Sequence, residues 1–153
     1  MLTVAVMMVS SKILAGEPDS CRTILEECLK KYHMRLVSYE VIPDERQTIS
    51  QRLEELCRDA SPSVLLTLGG TGVRPTDWVP EATRDVIEKE IPGIGESMRA
   101  ESVKKVRTAM LSRGTAGLKG QTLIINLPGS PKGVKENFEY VAPLLEHIVE
   151  KMS

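Results

Sequence analysis

The run Val64-Leu65-Leu66-Thr67-Leu68 ends directly in Gly69-Gly70-Thr71-Gly72. A segment with so little polar alternation fits a strand buried on both faces, and such strands belong to parallel sheets covered by helices. Leu2 to Val9 and Thr122 to Leu127 have the same character, and Leu36 to Ile42 reads as a further strand with Val37, Tyr39 and Val41 alternating. Helical spacings fill the gaps. Ile24, Leu25, Cys28, Leu29 and Tyr32 mark one helix, with Asp19 or Ser20 as its cap. Ile49, Leu53, Leu56 and Cys57 mark a second, opening at Thr48. Pro80 to Glu90 makes a third, Ile94 to Lys105 a shorter fourth. Val134, Phe138, Val141, Leu145 and Ile148 mark the last, which Pro143 interrupts as a candidate kink. Strands alternating with helices imply an α/β three-layer sandwich, a mostly parallel sheet flanked by helices, with residues 1–153 as one domain. At 153 residues the chain is long enough to bury a core without disulfides or structural metal.

Composition removes several function classes. Lys plus Arg total 20 and Asp plus Glu 21, a formal net charge of -1, so no global basic field recruits nucleic acid or anionic lipid. The aromatics are one Trp, three Tyr and one Phe, with no basic stripe interleaved, so no nucleic-acid partner is expected. No apolar run approaches the roughly 20 residues of a membrane span, and Met1 to Ser10 lacks a basic leader, so no membrane partner or signal peptide is expected. Cys21, Cys28 and Cys57 form no C-x-x-C pair and read as packed thiols; His33 and His147 lack ligand spacing. A reducing cytoplasm is the expected location.

In open α/β sheets, ligands sit beyond the carboxyl ends of the strands. There the glycine-rich turn has two readings. Three glycines in Gly69-Gly70-Thr71-Gly72 let backbone N–H groups converge on an anion, with Thr71 adding a hydroxyl, or they make a tight turn with no ligand. The turn is neither a Walker A loop nor a dinucleotide fingerprint, since Pro75 stands where the third glycine belongs. Asp77 beside a phosphate cradle calls for a bridging cation such as Mg2+; Asp44, after the second strand, is a second carboxylate at the same sheet edge. Either aspartate also serves as an ordinary turn or cap residue. Ser112-Arg113-Gly114 offers a guanidinium for an anion, with Arg74, Arg99 and Lys132 as further cations. Asn126-Leu127-Pro128-Gly129-Ser130-Pro131 ends a strand in a rigid turn that permits close backbone approach.

Several strings together resemble molybdenum-cofactor biosynthesis proteins, the MogA/MoaB-like family of bacterial molybdopterin adenylyltransferases and the G domain of gephyrin. They are Thr67 to Asp77, Pro80-Glu81-Ala82-Thr83, Ile42-Pro43-Asp44-Glu45, Pro92-Gly93 with Glu96 and Met98-Arg99, Met110 to Arg113, and Leu123 to Ser130. The matches run in order along nearly the whole chain. The resemblance implies a molybdopterin-binding fold and a nucleotidyltransferase that moves AMP from ATP to the terminal phosphate of molybdopterin with Mg2+, releasing pyrophosphate. It implies a homotrimer and a separate downstream metal-insertion protein. By matching, Asp44 and Asp77 fall on the family's essential, catalytic aspartates, and Gly69, Gly70, Thr71 and Gly72 on its ligand-binding loop. From residue chemistry Asp77 is the expected metal position, and Ser112, Arg113, Pro128, Gly129 and Ser130 are further expected ligand-binding positions. The chain departs from the family at Ser10-Ser11, where Ser-Asp is usual, and at Glu17 to Cys21, where the family has Asp-x-Ser-Gly. Val79 replaces a capping Thr, leaving helix N–H groups in need of partners, and Trp78 replaces a small aliphatic. The altered first loop motivates a second reading, a molybdopterin-binding protein with little turnover, and the likeness to gephyrin's G domain a third, a trimeric scaffold of the same fold.

Overall fold

The computed structural model describes residues 1–153. Strand β1 (Thr3–Val9) leads into a single helical turn, α1 (Ser11–Leu14), and then α2 (Arg22–Lys31). Next come β2 (Arg35–Ile42), α3 (Arg46–Glu55) with a π-helical extension over Leu56–Ala60, and β3 (Val64–Leu68). The second half contains α4 (Val79–Val86), β4 (Lys89–Glu90), α5 (Pro92–Ser102), a 3-10 turn at Arg107–Leu111, β5 (Ala116–Lys119), β6 (Thr122–Leu127) and α6 (Pro131–Lys151).

The sheet order is β2-β1-β3-β6-β5-β4. The four strands from β2 to β6 run parallel; β5 and β4 extend the sheet antiparallel. Alternation along β1 divides the core. Val4, Val6 and Met8 face α2, α5 and α6 through Leu25, Leu29, Met98 and Phe138. Ala5, Met7 and Val9 face α3 and α4 through Ile49, Leu53, Ala82 and Val86. Every residue of β3 and β6 is buried, as expected for central parallel strands. This is the three-layer α/β sandwich.

Several sequence-level boundaries change. The third helix is expected to reach Glu90 but stops at Val86, because Lys89 and Glu90 pair with β5 and the flanking N–H groups of Glu88 and Ile91 donate to Leu118 and Ala116. The fourth ends at Ser102, not Lys105, and the second opens at Arg46 rather than Thr48. Neither Asp19 nor Ser20 is the N-cap of α2; Cys21 is, and Asp19 Oδ1 accepts from its N–H at 2.9 Å. Helix α6 continues through Pro143. The three cysteines are buried free thiols, as packing predicts.

Ion pairs tie surface elements together and set a pH dependence. Hydrogen bonds from Arg46 hold the Asp85 carboxyl below its ordinary value of 3.8 against the opposing effect of burial. The Thr115 hydroxyl, at 2.7 Å, does the same for Glu90 below 4.5, again against burial and with help from Arg84. A carboxylate with a depressed folded pKa adds stability above its unfolded value and loses it as pH falls through the folded one. The urea midpoint is therefore expected to drop between pH 7 and about pH 3, and Asp85→Asn to flatten that drop. An unchanged slope in the variant would show that the Arg46–Asp85 pair contributes nothing.

Candidate active site

The C-terminal ends of β1, β3 and β6 meet in a knot of backbone. Gly69 has φ +88° and Gly70 φ +68°, the left-handed region that glycine enters without a steric penalty. A Cβ on Gly69 would stand 2.9 Å from the Val9 carbonyl oxygen; one on Gly70 would meet Val79 Cγ2 at 2.5 Å. Gly129, in the turn after β6, backs directly onto Gly69, and the Cys21 thiol donates to its carbonyl at 3.3 Å. Gly69, Gly70 and Gly129 thus shape the chain at the knot. Gly69→Ala is expected to destabilise the protein by about 1–3 kcal/mol, through the strained φ together with the Val9 clash, as read from a urea melt. A neutral result would mean the loop relaxes freely.

Beyond the knot the chain exposes donors. The N–H groups of Gly70, Thr71 and Gly72 have no acceptor within the chain. Thr71 and Gly72 line a cavity of about 310 Å³, together with Ser112, Gly114, Pro128 and Ser130. Its far walls are α5 and α6, including Gly95, Arg99, Ser102, Lys132 and Asn137. Helix α6 opens at this cavity, and Ser130 caps it by accepting from Gly133 N–H at 3.1 Å. The positive end of a 21-residue helix therefore points where an anion would sit. Arg99 Nη1 donates to the Gly114 carbonyl at 2.6 Å, which fixes one cation in the cavity wall.

Asp77 lies on the other side of the loop. Its Oδ2 accepts from Arg74 N–H at 3.0 Å and would lie 2.9 Å from a Cβ on Gly72, so a side chain there would push the carboxylate aside. Its second oxygen, Oδ1, has no partner in the chain. One carboxylate with a free oxygen beside free N–H donors fits Mg2+ that takes its remaining ligands from phosphate and water. No group of three or more His, Cys, Asp or Glu side chains forms an all-protein metal cage. Asp44 is engaged differently. Its Oδ2 accepts from Ser11 N–H at 2.9 Å, and its own N–H donates to Ser11 Oγ at 2.9 Å. Together with Ser10, which accepts from Ile13 N–H at 3.1 Å, it caps α1. The Ser10-Ser11 pair of the first loop thus docks on Asp44.

Arg113 does not face the cavity. Its Nε donates to the Gly72 carbonyl at 2.7 Å and Nη2 to the Asp77 carbonyl at 2.9 Å, while Nη1 pairs with Glu81. Its N–H donates to the Thr71 carbonyl at 2.7 Å. All three side-chain nitrogens are committed to the loop and to α4, so the geometry makes Arg113 a clamp on the segment bearing Asp77. Burial pushes the Glu81 carboxyl up, but the Arg113 hydrogen bond and charge outweigh it and hold the group below its ordinary value of 4.5. Val79 is also more than a lost cap. It is fully buried, and its N–H donates to the Gly70 carbonyl at 3.1 Å, so the helix start has its partner in the loop.

Sequence reasoning assigned no role to Asn126 beyond its turn. It is 2% exposed; Nδ2 donates to the hydroxyls of Thr67 at 3.0 Å and Thr83 at 2.9 Å, and Oδ1 accepts from Thr115 N–H at 3.1 Å. The hub joins β3, β6, α4 and the start of β5 at the floor of the cavity. A signal was present: Thr67 is the lone polar residue of β3 and Asn126 interrupts the apolar run of β6, and the register pairs them.

Comparison with known proteins places the whole chain in a family. The family described as "Probable molybdopterin binding domain" matches residues 5–147. A molybdopterin adenylyltransferase of Helicobacter pylori is 41% identical over 128 residues, covering 82% of this chain and 73% of that protein. One of Haemophilus influenzae is 36% identical over 147 residues, covering 92% and 73%. The crystal structure of the molybdopterin biosynthesis enzyme MoaB of Thermus thermophilus superposes with a TM-score of 0.93 at 40% identity, covering 99% of this chain and 96% of that one. With a family match over residues 5–147, a matching fold and relatives spanning most of both chains, this chain belongs to the molybdopterin-binding family of molybdenum-cofactor biosynthesis proteins.

Proposed function

We propose that this chain is a molybdopterin adenylyltransferase of molybdenum-cofactor biosynthesis, a nucleotidyltransferase that uses ATP. An oxygen of the terminal phosphate of molybdopterin attacks the α-phosphorus of ATP. The new P–O bond gives adenylyl-molybdopterin, and the bond to the β-phosphate oxygen breaks to release pyrophosphate. Such a transfer asks the protein for in-line positioning and neutralised charge rather than covalent chemistry. The observation that carries the reading is a cavity of about 310 Å³ walled in part by Thr71 and Gly72, with a free Asp77 carboxylate oxygen on the same loop. The cavity suits an organic ligand, and the free N–H groups of Gly70, Thr71 and Gly72 meet its phosphate at the mouth.

Ser112, Pro128 and Ser130 belong to the cavity wall and receive the pterin side of the substrate. Asp77 would hold Mg2+, which supplies charge neutralisation on the phosphates when bound. Asp44 assists from the facing loop by fixing Ser10-Ser11, and Arg113 keeps Asp77 aimed. The working unit is a homotrimer, and insertion of the metal falls to a separate protein downstream. No helix is long and apolar enough to cross a membrane, which accords with action in the cytoplasm.

The test mixes protein, molybdopterin, ATP and Mg2+ and follows pyrophosphate. Molybdopterin-dependent release is the expected result. Molybdopterin binding without release would leave a binding protein of this fold, and release without molybdopterin would mark an unrelated pyrophosphohydrolase.

A further inference from the structure

On the adenylyltransferase reading the chain has two substrates to hold, and the cavity of about 310 Å³ is assigned to molybdopterin. Neither Asp77 nor Trp78 is among its lining residues, and Asp77 packs against Gly72 at the cavity's edge. Once molybdopterin fills the cavity and its phosphate reaches the loop, the nucleotide has to extend away on the Asp77 side. There the next residue along the chain is Trp78, the single tryptophan, 39% exposed. The guanidinium of Arg46 stands 6.0 Å from its ring centroid. Arg46 is itself fixed by bonds of 2.9 and 2.8 Å to Asp85. Arg46 follows Asp44 by two residues, so the Arg46–Trp78 contact bridges the two loops that carry the aspartates. An exposed indole backed by an immobilised cation is a rigid, flat apolar surface, and ordering it again on binding takes little entropy.

We propose that Trp78 is the stacking surface for the purine base of the nucleotide, with Arg46 holding the ring in place. The inference rests on the adenylyltransferase reading for the identity of the base. Stacking recognises the π-face and its area, so a purine is held better than a pyrimidine without base-edge hydrogen bonds. Trp78 is then a specificity residue acting on nucleotide affinity, while the phosphate chemistry stays with Asp77 and the loop.

Indole fluorescence in this chain reports Trp78 alone. Titration with Mg–ATP and with AMP is expected to quench it, inorganic tripolyphosphate to leave it unchanged, and CTP to quench only at higher concentration. In turnover, Trp78→Ala is expected to raise KM for ATP roughly fivefold or more, with kcat within about twofold. Trp78→Phe, which keeps a flat ring, is expected to restore most of the affinity. ATP binding seen by calorimetry with no fluorescence change would overturn the proposal, as would an unchanged KM in Trp78→Ala. Wild-type protein that releases no pyrophosphate would instead overturn the adenylyltransferase reading, and the fluorescence titration would then decide by itself whether Trp78 meets a purine.

Discussion

Asp77→Asn is expected to lower molybdopterin-dependent pyrophosphate release by roughly two orders of magnitude or more while leaving the fold intact. Both halves follow from geometry. The Arg74 N–H bond to Oδ2 needs only a carbonyl-type acceptor, and an amide oxygen supplies one in the same place. The van der Waals fit against Gly72 is also unchanged, since the amide and carboxylate are nearly isosteric. What disappears is the negative charge at the oxygen with no protein partner. That charge would offset the phosphates through Mg2+, and losing a charge aimed at a transferring group typically reduces kcat by about 100-fold or more. A thermal melt and a pyrophosphate assay on one preparation separate the effects. An active Asp77→Asn enzyme would remove Asp77 from the chemistry and leave it as a turn residue. A variant that loses both activity and fold would mean that the amide cannot replace the Arg74 contact.

Asn126→Leu is expected to produce the largest loss of stability, about 3 kcal/mol. The substitution keeps approximate volume and strands three buried groups: the Thr67 and Thr83 hydroxyls and the Thr115 N–H. Each unsatisfied buried group costs about 1–3 kcal/mol, and the two hydroxyls recover part of that by rotating to nearby carbonyls. The backbone N–H of Thr115 has no such freedom. Against a total domain stability of about 5–15 kcal/mol this is a large fraction. The shift appears in a urea titration as a lower midpoint with the same slope. Thr115 adjoins Gly114 in the cavity wall, so the same variant is expected to bind molybdopterin more weakly. A loss below about 1 kcal/mol would show that the hub is relaxed by local rearrangement and carries little.

Much of the architecture is legible in residue order. Continuous apolar runs at β1, β3 and β6 announce strands covered on both faces, because burial on two sides removes the reason for polar alternation. Gly69 and Gly70 announce a turn that needs positive φ and close backbone approach, and the structure has both. These are local consequences of chirality, chain sterics and hydrophobic period, so sequence carries them. Strands β4 and β5 are different. With two and four residues, and with Lys89 and Glu90 exposed, they have no periodicity to read; only pairing with an existing sheet edge makes them strands.

The site divides the same way. Its members can be picked out along the chain as loops at strand ends, because the parallel sheet collects those ends on one edge. What each member does was decided only when distant segments met. Arg113, a plausible anion ligand by residue type, spends its donors on Gly72, Asp77 and Glu81, some 30 to 40 positions earlier. Asp44 meets Ser11 across 33 positions, and Asn126 meets Thr67 across 59. Sequence by itself determined the buried parallel strands, the presence of the main helices, the glycine turn and the family. The tertiary structure alone decided strand order, the cavity and the use of each polar side chain. Hydrogen bonds are directional and short in range, and a linear pattern holds no record of which distant donor will reach which acceptor.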